Sequence, residues 1–176
     1  MKNLSEIKDD INRCNVWRIL CDNMKIGNIS GEELINCVCE HIIPETEEYT
    51  LPVVLSTVNW VLKYKFQRDT RLLDLQAKLF DSFFKKLSYC KTKSMEILIL
   101  SEMLSIMSVE MDDTAKDWLH HKQIKTPNGK FIHLEKPQRY QLLKLIYRST
   151  KYSEDFKNQL LQKEMEINFS DFDLLE

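Results

Sequence analysis

At 176 residues, with 43% apolar and 30% charged side chains but only three glycines and four prolines, the chain is long enough for one cored domain and too poor in turn formers for disorder or a loop-rich β fold. Its 25 basic and 27 acidic side chains leave a formal charge of −2, so no field draws it onto a phosphate backbone and general nucleic-acid binding is not expected. Five cysteines, an odd number without framework spacing, predict reduced thiols in a cytoplasmic setting, and no apolar run approaches the roughly 18 to 20 residues of a membrane span.

The first ten residues are polar and acidic, unlike a signal or transit peptide. From Leu4 to Met24 apolar residues recur at three and four positions (Leu4, Ile7, Ile11, Cys14, Trp17, Met24), which is helical spacing, and Gly27 supplies the stop. Ser30 with Glu33 forms a capping-box pattern, predicting a second helix over 31–42 closed by Pro44. Thr46, Glu47 and Glu48 read as the capped, acidic start of a third, with Pro52 near its beginning and Trp60 and Tyr64 beside its apolar side. Leu72, Leu75, Leu79, Phe83 and Leu87, widened by Phe80 and Phe84, make the broad stripe of a fourth, which suits a helix packed on two neighbours.

After the joint at 91–94, residues 95–108 are apolar nearly all round and predict a central helix, with Met95, Met103, Met107 and Met111 as core filler. A shorter helix over 114–121 carries Trp118 and Leu119. Thr126 to Lys130 is a turn, and Phe131 to Leu134 a brief extended segment. Pro137 opens the next helix, with Tyr140, Leu143 or Leu142, Ile146 and Tyr147 inward, and Ser153 and Glu154 start the last, running to about Met165. The expectation is therefore an all-α fold: an irregular antiparallel stack of seven or eight helices in hairpins, in the manner of HEAT or armadillo units. It forms a single helical domain over 1–165, with an acidic C-terminal tail, 166–176, left unassigned.

Chemistry is hard to find in this pattern. Cys37, Cys39, Glu40 and His41 look like a metal box, yet on a helix 37 and 41 share a face while 39 points nearly opposite, so two small buried thiols and a helix-end histidine are expected. His120 and His121 are adjacent, which separates their rings by about 100° on a helix, and His133 stands alone beside the turn. With three glycines, phosphate-cradling loops and nucleophile elbows are absent. Acid pairs Asp9–Asp10, Glu47–Glu48 and Asp112–Asp113 fit capping and solvation, and Lys85–Lys86 and Lys91 with Lys93 fit solvated helix faces.

The order of these features from Asn15 to about Tyr152 nevertheless resembles the helical C-terminal domain of zinc aminopeptidases of the aminopeptidase N family, also called the endoplasmic-reticulum-aminopeptidase-like C-terminal domain. The words that carry it are Trp17; Asp22 with Met24 and Gly27; Ser30 to Glu33; His41-Ile42-Ile43-Pro44-Glu45-Thr46; the helix of Met95 to Met107; Asp117-Trp118-Leu119; and Gln138-Arg139-Tyr140-Gln141-Leu142-Leu143. The resemblance implies a non-catalytic helical cap over an active-site chamber, contributing to peptide access and domain packing. Its partners would be the catalytic and β domains of a parent enzyme and the peptide substrate. G-x-M-E-N and H-E-x-x-H do not occur here, so no catalytic, cofactor-binding or metal residue carries over, substrate-binding residues stay unspecified, and zinc is implied only for the full-length enzyme. The spacing from Met24 to Gly27 is one residue shorter than in many relatives, and both this and the early end suggest a fragment. A stack cut at an end would expose an apolar face, which predicts self-association through an end helix. The alternative is a stand-alone helical protein–protein interaction module. Neither reading calls for nucleic acid or membrane.

Overall fold

Eight α-helices and one two-stranded hairpin make up the regular structure among the described residues, 3–66 and 69–170 of a computed structural model, with side chains at 167–170 excepted. The all-α expectation holds. No helix among the described residues is long and apolar enough to cross a membrane. The chain divides into two units, one reaching to Met107 and including Lys125–Phe131, the other comprising Ser108–Ile124 and the chain from Ile132 onward.

In the first unit, α1 (Asp10–Lys25), α3 (Leu51–Tyr64) and α5 (Lys93–Ser105) pack in one row, α1 on α3 and α3 on α5. Helices α2 (Gly31–His41) and α4 (Leu72–Leu87) pack on each other as a second row, α2 also touching α1 and α3, and α4 touching α5. This alternation is that of a helix-hairpin stack. The caps explain the boundaries. Ser30 Oγ accepts the Glu33 amide at 3.1 Å while Glu33 Oε2 accepts the Ser30 amide at 2.7 Å, completing the expected capping box. Thr92 Oγ1 accepts the Met95 amide, Pro52 lies in the first turn of α3, and Gly27 takes φ 86° after α1, where a side chain would be strained. The fully buried Trp17, Leu34, Ile35, Val58, Leu79, Phe83, Ile99 and Met103 form the core of this unit.

The second unit joins α6 (Asp112–His121), α7 (Lys136–Arg148) and α8 (Glu154–Ser170), with α7 packed on both others. Strands β1 (Gln123–Lys125) and β2 (Phe131–His133) form the hairpin. Its turn, which belongs to the first unit, is closed by the Thr126 amide on the Lys130 carbonyl, with Gly129 at φ 86°.

Several boundaries and faces differ from the sequence reading. The first helix begins at Asp10, not Leu4: Asp9 Oδ1 accepts the Asn12 amide at 2.8 Å and caps it there, leaving Leu4–Glu6 as a separate 3-10 turn. Ile11, expected inward, faces solvent, and Arg13 is buried in its stead. Helix α3 starts at Leu51, so Thr46, Glu47 and Glu48 are not its first turn. The Glu45 carboxylate accepts the Thr46 and Glu47 amides and holds that segment in a turn. Trp60 lies at the surface at 36% exposure, unlike the buried Trp17 and Trp118. In α7 the buried face is Leu142, Leu143, Leu145 and Ile146, with Tyr140 and Tyr147 half-exposed. Strand β1 was not anticipated, and α8 continues past Met165 to Ser170; residues 171–176 of the acidic tail lie outside the described residues.

Candidate functional site

The densest polar chemistry in the chain lies beneath the segment 42–50 of the first unit, and its hub is Glu45, 1% exposed. Helix α1 presents Arg13 and Trp17 one turn apart, on the same face. Arg13 Nε donates to both Glu45 oxygens at 3.1 and 3.0 Å, its Nη2 donates to Glu45 Oε1 at 3.0 Å and Asp10 Oδ1 at 2.6 Å, and its Nη1 donates to the Ile7 carbonyl at 2.8 Å. The Trp17 indole donates to Glu45 Oε2 at 3.0 Å. With the Thr46 and Glu47 amides on Oε1, the carboxylate is saturated. Burial acts to raise the Glu45 carboxyl, but hydrogen bonds from Arg13, the Glu47 amide and Trp17, with the Arg13 charge, outweigh it and hold it below its ordinary value. The Arg13 guanidinium is held above its own, chiefly by Glu45 and against burial.

Lys86 of α4 completes the hub from the other side. Only 1% exposed, its ammonium donates to the Ile43 carbonyl at 2.9 Å and to the Glu45 carbonyl. It thus satisfies two buried carbonyls of the segment that follows α2, close to the helix C-terminus, where the dipole favours a cation. Burial lowers the Lys86 ammonium from its ordinary value. The sequence reading of Lys85–Lys86 as a solvated pair is therefore corrected for Lys86, whose position on α4 places it on the buried side with Phe83 and Leu87.

Every strong acid, base or cation in this hub is spent on a neighbour. His41, 7% exposed, has no hydrogen-bond partner on either ring nitrogen, the nearest carboxylate being Glu40 at 3.8 Å from Nε2; it lines a cavity of about 60 Å³ with Arg13, Trp17, Glu45 and Thr46. The volume suits ordered water more than an organic ligand.

Two further staples follow the same design. In the first unit Glu96, 6% exposed, accepts the ammonium groups of Lys93 at 2.6 Å and of Lys130, and Asn128 Nδ2 donates to the Ser88 carbonyl at 3.1 Å. In the second unit Arg139 donates from Nε to Glu164 at 2.7 Å and from Nη1 to the Leu134 carbonyl at 2.8 Å, all buried. There too Asp112, one of the acids expected on a polar face, is buried and accepts the Ser149 hydroxyl.

The cysteine and histidine candidates do not assemble. Cys37 is buried and Cys39 half-buried on different sides of α2, and all five cysteines are free thiols. Burial raises the Cys37 thiol to about 11 and also pushes Cys39 up, which makes both poor ligands and nucleophiles. His120 and His121 stack edge to face with centroids 5.0 Å apart, and His121 pairs with Asp117 at 3.4 Å. His133 is exposed on β2. Among the described residues no group of three or more histidine, cysteine, aspartate or glutamate side chains is arranged to hold a metal. Arg13, Glu45 and Lys86 escaped notice as a set because they are 32 and 41 residues apart in the chain; the only local signal was a charged residue at an otherwise apolar helix position. No family model, curated protein or solved structure matches the chain.

Proposed function

We propose that the chain serves as a non-catalytic helical domain of a zinc aminopeptidase of the aminopeptidase N type. It would cover the chamber of a separate catalytic domain and contribute to peptide access and domain packing. One observation carries the reading. Four residues in the sequence words of the resemblance, Trp17, Glu45 with Thr46, and Arg139, take part in the hydrogen-bonded staples of the two units. Such staples tie a loop or helix to its neighbour in one geometry. The words therefore describe a helical frame, in keeping with a domain whose work is shape and coverage. The zinc and the peptide-bond chemistry would belong to the partner domain, and nothing in this chain is assigned to either.

The test is the size of the endogenous protein, probed with an antibody raised against residues 93–148. A multidomain parent on the order of 100 kDa supports the proposal; a band at 21.0 kDa refutes it. The second outcome favours the alternative, a stand-alone interaction module, for which the specific observation is the exposure of Ile11 and Ile19 on α1 and of Ile26 at its C-cap.

A further inference from the structure

Between α1 and the segment that precedes α3 runs a surface cleft of about 230 Å³, lined by Asp10, Ile11, Cys14 and Arg18 from the helix and by Glu47 and Tyr49 from the segment. It lies outside the saturated hub. Its walls are mainly apolar and laid open to solvent: Ile11 is 73% and Tyr49 84% exposed. Ile11 and Tyr49 thus offer exposed apolar surface on both sides of one cleft.

The charges at its ends are opposite. At the N-terminal end Asp10 and Glu47 face each other, and with Glu45 behind them three carboxylates share the single Arg13 guanidinium. The Glu47 carboxyl is held above its ordinary value by burial and by the Asp10 carboxylate beside it, with the Arg13 charge opposing, so this end keeps a net negative charge. At the other end Arg18 is exposed and forms no ion pair among the described residues. Thr50, fully buried at the cleft, has a hydroxyl without a hydrogen-bond partner.

Asp10 and Arg18 are separated by eight helical positions, about 12 Å at 1.5 Å per residue. An extended peptide rises about 3.3 Å per residue and turns every second side chain to one face, so residues 1, 3 and 5 of a strand span about 13 Å on one side. The cleft is smaller than the roughly 300–1,000 Å³ of small-molecule sites and suits one apolar side chain between two charges. We propose that this cleft docks an extended segment of a partner protein with a basic residue, an apolar residue and an acidic residue at alternate positions. The ammonium or guanidinium sits between Asp10 and Glu47, the apolar side chain rests on Ile11, Cys14 and Tyr49, and the acid meets Arg18. The inference stands apart from the aminopeptidase reading and survives its failure.

The test uses fluorescein-labelled acetyl-Lys-Ser-Leu-Ser-Glu-amide titrated with the full chain and read by anisotropy. Saturable binding is expected, weakened about fivefold by Arg18→Glu and by Glu47→Gln, the range of one exposed ion pair each. The probe with both charged residues replaced by glutamine should bind about 25-fold more weakly than the original, the product of two such pairs. A probe with lysine at both ends should bind Arg18→Glu better than the unsubstituted chain. Arg18 and Glu47 lie outside the core, so helix content by circular dichroism should be unchanged in both variants. Equal binding of the charged and neutral probes, failure of the two-lysine probe to recover binding, or no saturation below about 1 mM, the affinity floor of a specific contact, would overturn the proposal. So would a dimer in sedimentation that Ile11→Asp dissociates, since the occupant would then be a second copy of this chain.

Discussion

Removing the side chain of Glu45, a buried residue of the α2–α3 connection, should cost more stability than truncating any other residue of that connection. Glu45→Ala leaves the Arg13 guanidinium, 9% exposed, with only Asp10 and the Ile7 carbonyl, and leaves the Trp17 indole and the Thr46 and Glu47 amides without their acceptor. Breaking a buried charge pair by deleting one partner costs about 3–5 kcal/mol. At about 2–4 °C per kcal/mol for a chain of this size, the midpoint should fall by roughly 10 °C. The Arg13→Met, Glu45→Leu double variant should lose less than the sum of its singles, by about 1–3 kcal/mol, because neither charge is stranded. Urea unfolding followed by circular dichroism measures the loss, and hydrogen exchange over α1 and residues 42–50 locates it. The sign with pH is fixed as well. The folded Glu45 carboxyl lies below its ordinary value, so its stabilisation is present above about pH 4.3 and is lost as pH falls through the folded value. A cost under about 1 kcal/mol, or singles that simply add, would refute the view that this hub ties the α2–α3 segment down.

Glu102 of α5 should behave oppositely. Burial, with Asn59 opposing, raises its carboxyl to about 7, so the folded chain holds an extra proton between about pH 4.5 and 7 and loses stability as pH rises through that window. Glu102→Gln should stabilise by on the order of 2 kcal/mol at pH 8 and by little at pH 4, as read from urea midpoints at the two pH values; equal effects at both would sink the assignment. Gly31→Ala should destabilise by about 1–3 kcal/mol despite the higher helix propensity of alanine, because the new methyl carbon would stand 2.7 Å from Val61 Cγ1 and 3.1 Å from Phe66 Cε2. A thermal midpoint at or above that of the parent chain would contradict that packing. Ser30→Ala, which removes one half of the capping box, should cost about 1 kcal/mol with its loss of exchange protection confined to the first turn of α2.

What the residues alone determined is the part of the structure governed by short range. The 3.6-residue recurrence of apolar side chains, the capping box at Ser30 and Glu33, the stop at Gly27 and the turn at Asn128–Gly129 depend on neighbours within four positions, and each was legible before any tertiary contact was known. What only the tertiary structure decided are the polar residues whose partners are distant. Lys85–Lys86 reads as a basic pair on a solvated helix face, and nothing nearby in sequence announces the carbonyls of Ile43 and Glu45 that hold Lys86. The start of α3 was misplaced for the same reason: Thr46, Glu47 and Glu48 have the composition of a helix start, but the Glu45 carboxylate, anchored by Arg13 32 residues away, takes up the amides that a helical turn would have directed elsewhere. The cleft beside α1 was invisible on the same grounds, since Ile11 followed the helical period yet lies exposed, while the Thr46 and Glu47 amides across from it turn to the Glu45 carboxylate that Arg13 anchors. Periodicity reports which side chains share a face; which face is covered depends on the elements that fold back onto it, and that information lies tens of residues away.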